Sequence, residues 1–247
     1  MVSEEGNTMD NTAAAVAESL DDNGLLASTL SHAAKCSGGK LKDLYHFDAK
    51  ADVFPDYVAA AHPKLAAKMS CIHTGFFTTS HRILPSAYFS KVSHPSPMGR
   101  SRCGFPCSPD KPVPHLDVNA DTGSFVCAVH QMPPGGAYIH GGGRVYLSWP
   151  EFAAAWARVT GAAIRYREIS VAEMVDHLIP HPDLGLEVAL MFAYSSEPGY
   201  DGGMRLLRAG DLRKGRERER ERERSSKHVC FSRSPPLNPP PLFFFVF

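Results

Sequence analysis

The sequence has no apolar run of the length that crosses a bilayer, which needs about 18–20 residues. The phenylalanine-rich end, residues 242–247, is far shorter. A secretory signal is also missing, because residues 1–22 are acidic and polar rather than apolar. Six scattered cysteines form no framework of pairs. We therefore expect no membrane partner, free thiols, and a cytoplasmic and/or nuclear location.

Net charge is equally lacking, since 26 lysine and arginine residues balance 26 aspartate and glutamate residues. A binder of nucleic acid needs an excess of positive charge to neutralise phosphates. The balance predicts no direct contact with nucleic acid.

Two kinds of catalytic site are missing as well. Residues 140–143, His-Gly-Gly-Gly, match the oxyanion loop of esterases, but no Gly-x-Ser-x-Gly nucleophile turn exists, so we reject acyl transfer and predict a turn after a strand. Cys103 and Cys107 lie near His94 and His115, yet the second pair of a zinc site is not formed. We predict no metal site.

No Gly-x-Gly-x-x-Gly or Gly-x-x-Gly-x-x-Gly turn is present to aim a helix N-terminus at a pyrophosphate. The glycines of residues 37–39 and 134–136 lack the spacing. On these residues alone, the nucleotide-binding class has no positive support.

The first half of the chain contains patterns of both strands and helices. Residues 24–30 have the length and apolarity of a buried strand, and Met69, Cys71 and His73 alternate as a second strand. Between them, residues 46–61 follow a helical pattern that Pro55 must interrupt. Residues 90–115 are predicted to be loop, and a helix capped by Asp121 or Thr122 follows to Gln131.

The clearest local pattern lies between residues 148 and 178. Ser148 with Glu151 and Ser170 with Glu173 form two capping boxes, each predicting a helix start. In the first helix, three apolar side chains are predicted to share a buried face, and Gly161 is suited to end it. These three are Phe152, Trp156 and Val159. A strand around Ile164 and Tyr166 and a helix over residues 184–194 complete an α/β alternation.

Composition divides the chain into three parts. Residues 1–22 are a predicted disordered leader, residues 23–213 a single α/β domain, and residues 214–247 a low-complexity disordered tail. In the tail, residues 216–224 alternate strictly between arginine and glutamate, a pattern that buries nothing.

His46 and Lys50 are four residues apart, so a helix places them on one face. A lysine in that position can hydrogen-bond a ribose hydroxyl and lower the pKa of a neighbouring group. The spacing alone is common on exposed helices, so a plain surface role remains open.

Several runs, in their order and spacing, resemble fungal members of the NmrA-like family, which are atypical short-chain dehydrogenases. They are residues 37–40, 45–51, 75–77, 110–123, 148–151 and 194–203. The resemblance covers roughly residues 24–213.

The resemblance implies a partial Rossmann-like parallel sheet, a smaller α/β C-terminal lobe and a bound NAD(P). Lys50 matches the family's active-site lysine beside the nicotinamide ribose, and His46 stands where short-chain dehydrogenases have their tyrosine. Gly75, Phe76 and Phe77 match the loop that lines the nicotinamide pocket. The catalytic residues implied are thus Lys50 and His46, and the cofactor-binding ones Lys50, Gly75, Phe76 and Phe77.

The family's first Rossmann strands and its glycine-rich turn have no counterpart here. We therefore expect an N-terminally truncated domain, weak cofactor binding and an exposed sheet face. The resulting hypothesis is a cofactor-sensing regulator with a regulatory protein partner and weak or no catalysis. The alternative is an NAD(P)H-dependent oxidoreductase acting on a small molecule.

Overall fold

The structure is a computed structural model. It describes residues 17–20, 23–88, 90–91, 101–133, 138–162, 164–177, 182–208, 210–211 and 244–246.

Strands and helices alternate along the described residues. The strands are β1 (Leu25–Thr29), β2 (Met69–Thr74), β3 (Phe76–Phe77), β4 (Ser90–Lys91), β5 (Ser101–Phe105), β6 (Val113–Leu116), β7 (Ile139–Gly142), β8 (Val145–Leu147), β9 (Ile164–Glu168) and β10 (Phe244–Val246). The helices are α1 (Ala33–Cys36), α2 (Tyr45–Ala51), α3 (Val58–Ala61), α4 (Pro63–Ala66), α5 (Pro85–Tyr88), α6 (Val118–His130), α7 (Trp149–Thr160), α8 (Val171–His177) and α9 (Pro182–Tyr194). Shorter helical turns cover Asp52–Tyr57, Ser80–Arg82 and Ser195–Gly199.

The largest sheet is parallel, with the order β10-β1-β2-β7. Every residue of β1 and β2 is buried, as expected for parallel strands covered on both faces. Leu25 pairs with Met69 and Thr29 with His73, so the two strands end at the same edge. Both strands confirm the sequence prediction.

The described residues form two further sheets of three strands each, in the orders β3-β6-β8 and β4-β5-β9. The prediction that residues 90–115 are loop was wrong, because β5 and β6 lie there. Strand β5 pairs in parallel with β9, and its Cys103 and Phe105 are fully buried. The sequence of β5 shows no regular alternation of apolar residues, because polar residues and Gly104 interrupt it. The strand is recognised only by its pairing with β9. Residues 92–100 lie outside the described residues.

Helix α2 ends where proline was expected to break it. Phe54 has extended angles (φ −126°, ψ 112°) immediately before Pro55, and the helix resumes as α3 at Val58. A proline has no N–H for the helical ladder, and it disfavours helical geometry in the preceding residue.

Two details of the predicted helices need correction. Helix α6 is capped by Asp117, whose Oδ1 accepts from the amides of Asn119 and Ala120, not by Asp121 or Thr122. In α7 the capping box of Ser148 and Glu151 is present, and Gly161 ends the helix with φ 72°. Val159 is 87% exposed rather than on the buried face.

The main core is aromatic. Phe105 and Phe192 stack with ring centroids 4.0 Å apart, and Trp149, fully buried, packs against both. This core joins α7 and α9 to β5, so the C-terminal helices and their sheet form one packed unit. The predicted mixed α/β architecture with parallel sheets is confirmed.

The ends of the chain are described only in part. Leu20, within the predicted leader, is buried against Leu25 and Met69. Of the predicted tail, Phe244–Val246 forms β10 beside β1, whereas residues 212–243 lie outside the described residues.

Candidate functional site

A cavity of about 210 Å³ opens at the carboxyl ends of β1 and β2. Its lining residues come from the strand ends, α2, the segment after β3, α5 and α9. They are Leu30, His46, Lys50, Thr74, Gly75, Phe76, Phe77, Ser80, Leu84, Tyr88, Val188, Met191, Phe192 and Tyr200. In open α/β sheets, ligands bind in the crevice outside the carboxyl ends of the strands.

All five residues that were singled out from the sequence line this one cavity: His46, Lys50, Gly75, Phe76 and Phe77. They come from α2 and from the segment that follows β2. Their proximity is a structural observation. The catalytic and cofactor-binding roles assigned to them stay predictions.

Lys50 projects from α2 into a largely apolar environment. Burial lowers the pKa of its ammonium group, since desolvation disfavours the charged form. Within the described part of the chain the ammonium makes no hydrogen bond or ion pair. A half-buried cation in this situation is stabilised when a ligand supplies an acceptor oxygen.

The backbone of Lys50 is tied to the sheet through Thr29, at the end of β1. The Thr29 hydroxyl is 2.7 Å from the carbonyl oxygen of Phe54 and 3.1 Å from that of Lys50. These carbonyls belong to the helical turns that the Pro55 kink interrupts. The one hydroxyl proton is donated to the nearer Phe54 carbonyl or shared between the two, so a single strand residue holds the end of α2 in place.

His46, one turn before Lys50, is held by Glu187 of α9. Oε1 of Glu187 lies 2.6 Å from His46 Nδ1 and accepts the His46 backbone amide at 2.7 Å. Helix α2 receives no side-chain cap from Leu44, its own N-cap residue. Glu187 supplies that cap from 141 positions away in the sequence. Local sequence reasoning had no signal for this contact.

On its other side, α2 is bound to α1. Asp48, between His46 and Lys50 in sequence, has Oδ1 3.0 Å from His32 Nδ1 and accepts the Ala34 amide at 3.2 Å. Helix α2 is thus anchored by α1, β1 and α9 together. Its orientation, and with it the cavity wall, depends on long-range contacts.

The opposite wall is aromatic. The Phe76 ring packs against Trp149, Phe192 and Tyr200 at centroid distances of 5.1, 5.0 and 4.6 Å. Burial raises the pKa of the Tyr88 and Tyr200 hydroxyls, so both stay protonated at neutral pH. Tyr200 lies in one of the runs that carry the family resemblance, but nothing in the sequence indicated Tyr88 as a cavity residue.

Gly75 permits a close approach at the base of the cavity. A Cβ atom there would lie 2.7 Å from the carbonyl oxygen of Pro114 and 2.9 Å from its carbonyl carbon. Strand β6, which carries Pro114, therefore packs directly on the backbone after β2. Glycine is required here by space, not by backbone angles.

One further prediction concerned residues 140–143. The His-Gly-Gly run is not a turn, because His140, Gly141 and Gly142 lie in β7. A Cβ atom on Gly142 would lie 2.9 Å from the His73 carbonyl oxygen, so the neighbouring strand leaves no room for a side chain.

Within the described ranges, no group of three or more His, Cys, Asp or Glu side chains is arranged to hold a metal ion. The helices of the same ranges include none with both the length and the apolarity to span a membrane.

Comparison of the fold with solved structures gives several matches at low sequence identity. A double mutant of NmrA matches with 15% identity and a TM-score of 0.52, covering 83% of this chain and 67% of that one. NmrA described as a negative transcriptional regulator in complex with NAD matches with 16% identity and a TM-score of 0.50, again covering 83% and 67%. An NADPH-dependent quinone oxidoreductase of Escherichia coli matches with 15% identity and a TM-score of 0.51, covering 84% and 67%.

These likenesses show a shared fold. The chain spans about two thirds of the length of these structures. A search of curated protein sequences gives no match. A sequence model of the NmrA-like family matches residues 14–220, which is most of the chain. The chain belongs to the NmrA-like family.

Proposed function

We propose that the protein binds the nicotinamide end of NAD(P) in the cavity beside Lys50 and acts as a cofactor-sensing regulator with weak or no catalysis. The observation that carries this proposal is the half-buried Lys50 ammonium, which has no partner among the described residues and borders an aromatic cavity at the carboxyl ends of β1 and β2.

The cavity residues fit that half of the cofactor. Phe76 and Phe192 offer apolar surface to a flat ring, and aromatic side chains favour such packing. Lys50 offers a donor to ribose or amide oxygens. When bound, the cofactor would supply a hydride-carrying ring, while this chain's residues bind and orient it.

The regulatory role is favoured by the residue at the position of the dehydrogenase tyrosine. The resemblance puts His46 at that position, and Glu187 Oε1 lies 2.6 Å from its ring Nδ1. The two NmrA structures with the same fold include one described as a negative transcriptional regulator. We propose that a protein partner in the cytoplasm or nucleus reads the cofactor-bound state.

Binding is tested by titrating the full chain with NAD, NADP and nicotinamide mononucleotide, followed by calorimetry and tryptophan fluorescence. Trp149 touches Phe76 of the cavity wall, so its emission should report occupancy. Lys50→Met keeps the apolar stem and removes the charge, and should weaken binding about tenfold. Lys64→Met, at an exposed position on α4 outside the cavity, is the matched control and should bind as the unmodified protein does. Absence of binding at millimolar ligand, or equal affinity in Lys50→Met, would contradict the proposal.

The oxidoreductase alternative keeps one specific observation in its favour. His46 and Lys50 line the same cavity wall, so an imidazole ring and an amino group border the same space. Consumption of NADPH in the presence of a panel of small quinones and carbonyl compounds, lost in both His46→Ala and Lys50→Met, would favour catalysis over regulation.

A further inference from the structure

The polar wall of the cavity has two side chains on one helix. His46 and Lys50 are four residues apart on α2, so they lie on one face about a turn apart. The remaining wall is mostly apolar or aromatic. Hydroxyls of Thr74, Ser80, Tyr88 and Tyr200 also border the cavity, but His46 and Lys50 are its two nitrogen-bearing side chains.

Glu187 determines which form the His46 ring takes. A carboxylate has no proton to donate, so the short contact to Nδ1 requires the proton to be on Nδ1. In the neutral ring the other nitrogen, Nε2, then carries the lone pair. His46 makes no further ring hydrogen bond among the described residues, and its side chain is 41% exposed, so Nε2 remains accessible to a ligand.

The two side chains thus offer different chemistry side by side. The Lys50 ammonium can only donate hydrogen bonds, and Nε2 of neutral His46 can accept one. A primary carboxamide has the matching pair, a carbonyl oxygen and an NH₂ group, joined to one carbon. A ketone has only the oxygen, and a carboxylate has no donor.

We propose that this wall selects a primary carboxamide on a flat ring, with the amide oxygen accepting from Lys50 and the amide NH₂ donating to His46 Nε2. The inference rests on the proposed function and names the group of the nicotinamide that the cavity recognises. Glu187 acts as a positioning residue, because it acts on the ligand only through His46.

The test compares two uncharged ring substituents at pH 8, above the range where histidines ordinarily titrate. The probes are nicotinamide mononucleotide and its 3-acetylpyridine analogue, which keeps the carbonyl oxygen and lacks the NH₂ group. The unmodified protein should bind the carboxamide about tenfold more tightly, since the analogue leaves the lone pair of Nε2 unpaired. His46→Ala should bind both probes equally, and His130→Ala, at the far end of α6, should keep the preference.

Glu187 variants supply a readout that a purely structural role would not change. In Glu187→Gln the side-chain oxygen can still accept the Nδ1 proton, so the preference should persist. In Glu187→Ala the ring is released, and the preference should fall. Nitrogen-15 NMR of the neutral His46 ring should show the Nδ1–H form in the unmodified protein and a shift toward Nε2–H in Glu187→Ala.

The two proposals fail separately. If neither probe binds, the proposed function is wrong. If both bind with equal affinity, or if His46 is in the Nε2–H form, the carboxamide inference is overturned while cofactor binding stands.

Discussion

Glu187 and His46 join the two helices that face each other across the cavity. One carboxylate oxygen accepts the backbone amide of His46 at 2.7 Å and lies 2.6 Å from its ring Nδ1. Helix α2 presents His46 and Lys50, and α9 presents Val188, Met191 and Phe192. The contact therefore fixes the spacing between a polar and an apolar wall.

Removal of this contact should destabilise the fold. Glu187→Ala deprives α2 of its cap and of a negative charge at its N-terminus, so we expect a loss of about 1 kcal/mol in the free energy of unfolding. Urea denaturation followed by circular dichroism measures it. Glu187→Gln should lose less, and Glu168→Ala, at an exposed position of β9, should change little. Equal stability of Glu187→Ala and the unmodified protein would contradict the capping role.

Three buried histidines should make stability depend on pH. Burial lowers the pKa values of His73, His115 and His140 to about 4. The unfolded chain takes up protons near pH 6.5, before the folded one does. Stability is thus fully present above about pH 6.5 and falls as the pH drops toward 4, by about 1 kcal/mol per histidine at pH 5.5.

His140→Leu tests this dependence. Both ring nitrogens of His140 are buried without a hydrogen-bond partner in the described structure, so leucine should remove a desolvation cost. Denaturant midpoints at pH 7.5 and 5.5 should lie closer together in the variant than in the unmodified protein. An unchanged difference between the two midpoints would show that His140 does not contribute.

Gly75→Ala should disturb the cavity, because the new methyl group collides with the backbone of Pro114. Relief of that collision must move β6 or the segment that carries Phe76, so we expect a loss of at least about 1–3 kcal/mol. Gly123→Ala is the contrasting change. Gly123 is in α6 with nothing within 4 Å of the added carbon, so alanine should stabilise the helix by roughly 0.5–1 kcal/mol. Thermal unfolding of both variants measures the difference.

The two faces of α7 can be separated by a pair of substitutions. Phe152→Ala removes a ring that stacks on His115 at 5.1 Å and should cost about 3–5 kcal/mol. Val159→Lys changes a residue that is 87% exposed and should alter stability by less than about 0.5 kcal/mol. A large effect at Val159 would indicate that this surface is covered by a partner or by another part of the chain.

Local signals in the sequence predicted much of the fold. The Ser148–Glu151 box and Gly161 bounded α7 because capping chemistry acts within a few residues. Pro55 predicted the kink for the same reason. Strand β5 was not predicted because its extended conformation depends on pairing with β9, about sixty residues later in the chain.

Some residues of the candidate site could likewise be predicted from the sequence, and others could not. His46 and Lys50 could be placed together from helical spacing, and the family resemblance singled out residues 75–77. Tyr88 and Glu187 could not be found, because Tyr88 lines the cavity and Glu187 contacts His46 only through packing between distant elements. Val159 matched the helical period of a buried face, but α7 ends at Thr160, just beyond it, where the core no longer covers the helix.

The Thr29 hydroxyl connects the wall of the cavity that carries Lys50 to the central sheet. It lies within hydrogen-bond distance of the Lys50 carbonyl, before the kink, and of the Phe54 carbonyl, at the kink, so a displacement of this part of the chain would strain its contact with the end of β1. Strand β1 is hydrogen-bonded to β2 along its whole length, and β2 is followed, after Gly75, by β3, which carries Phe76. The backbone that carries Lys50 and the backbone that carries Phe76 are thus attached to the same pair of strands, so a change in the register of β1 and β2 would alter both walls of the cavity.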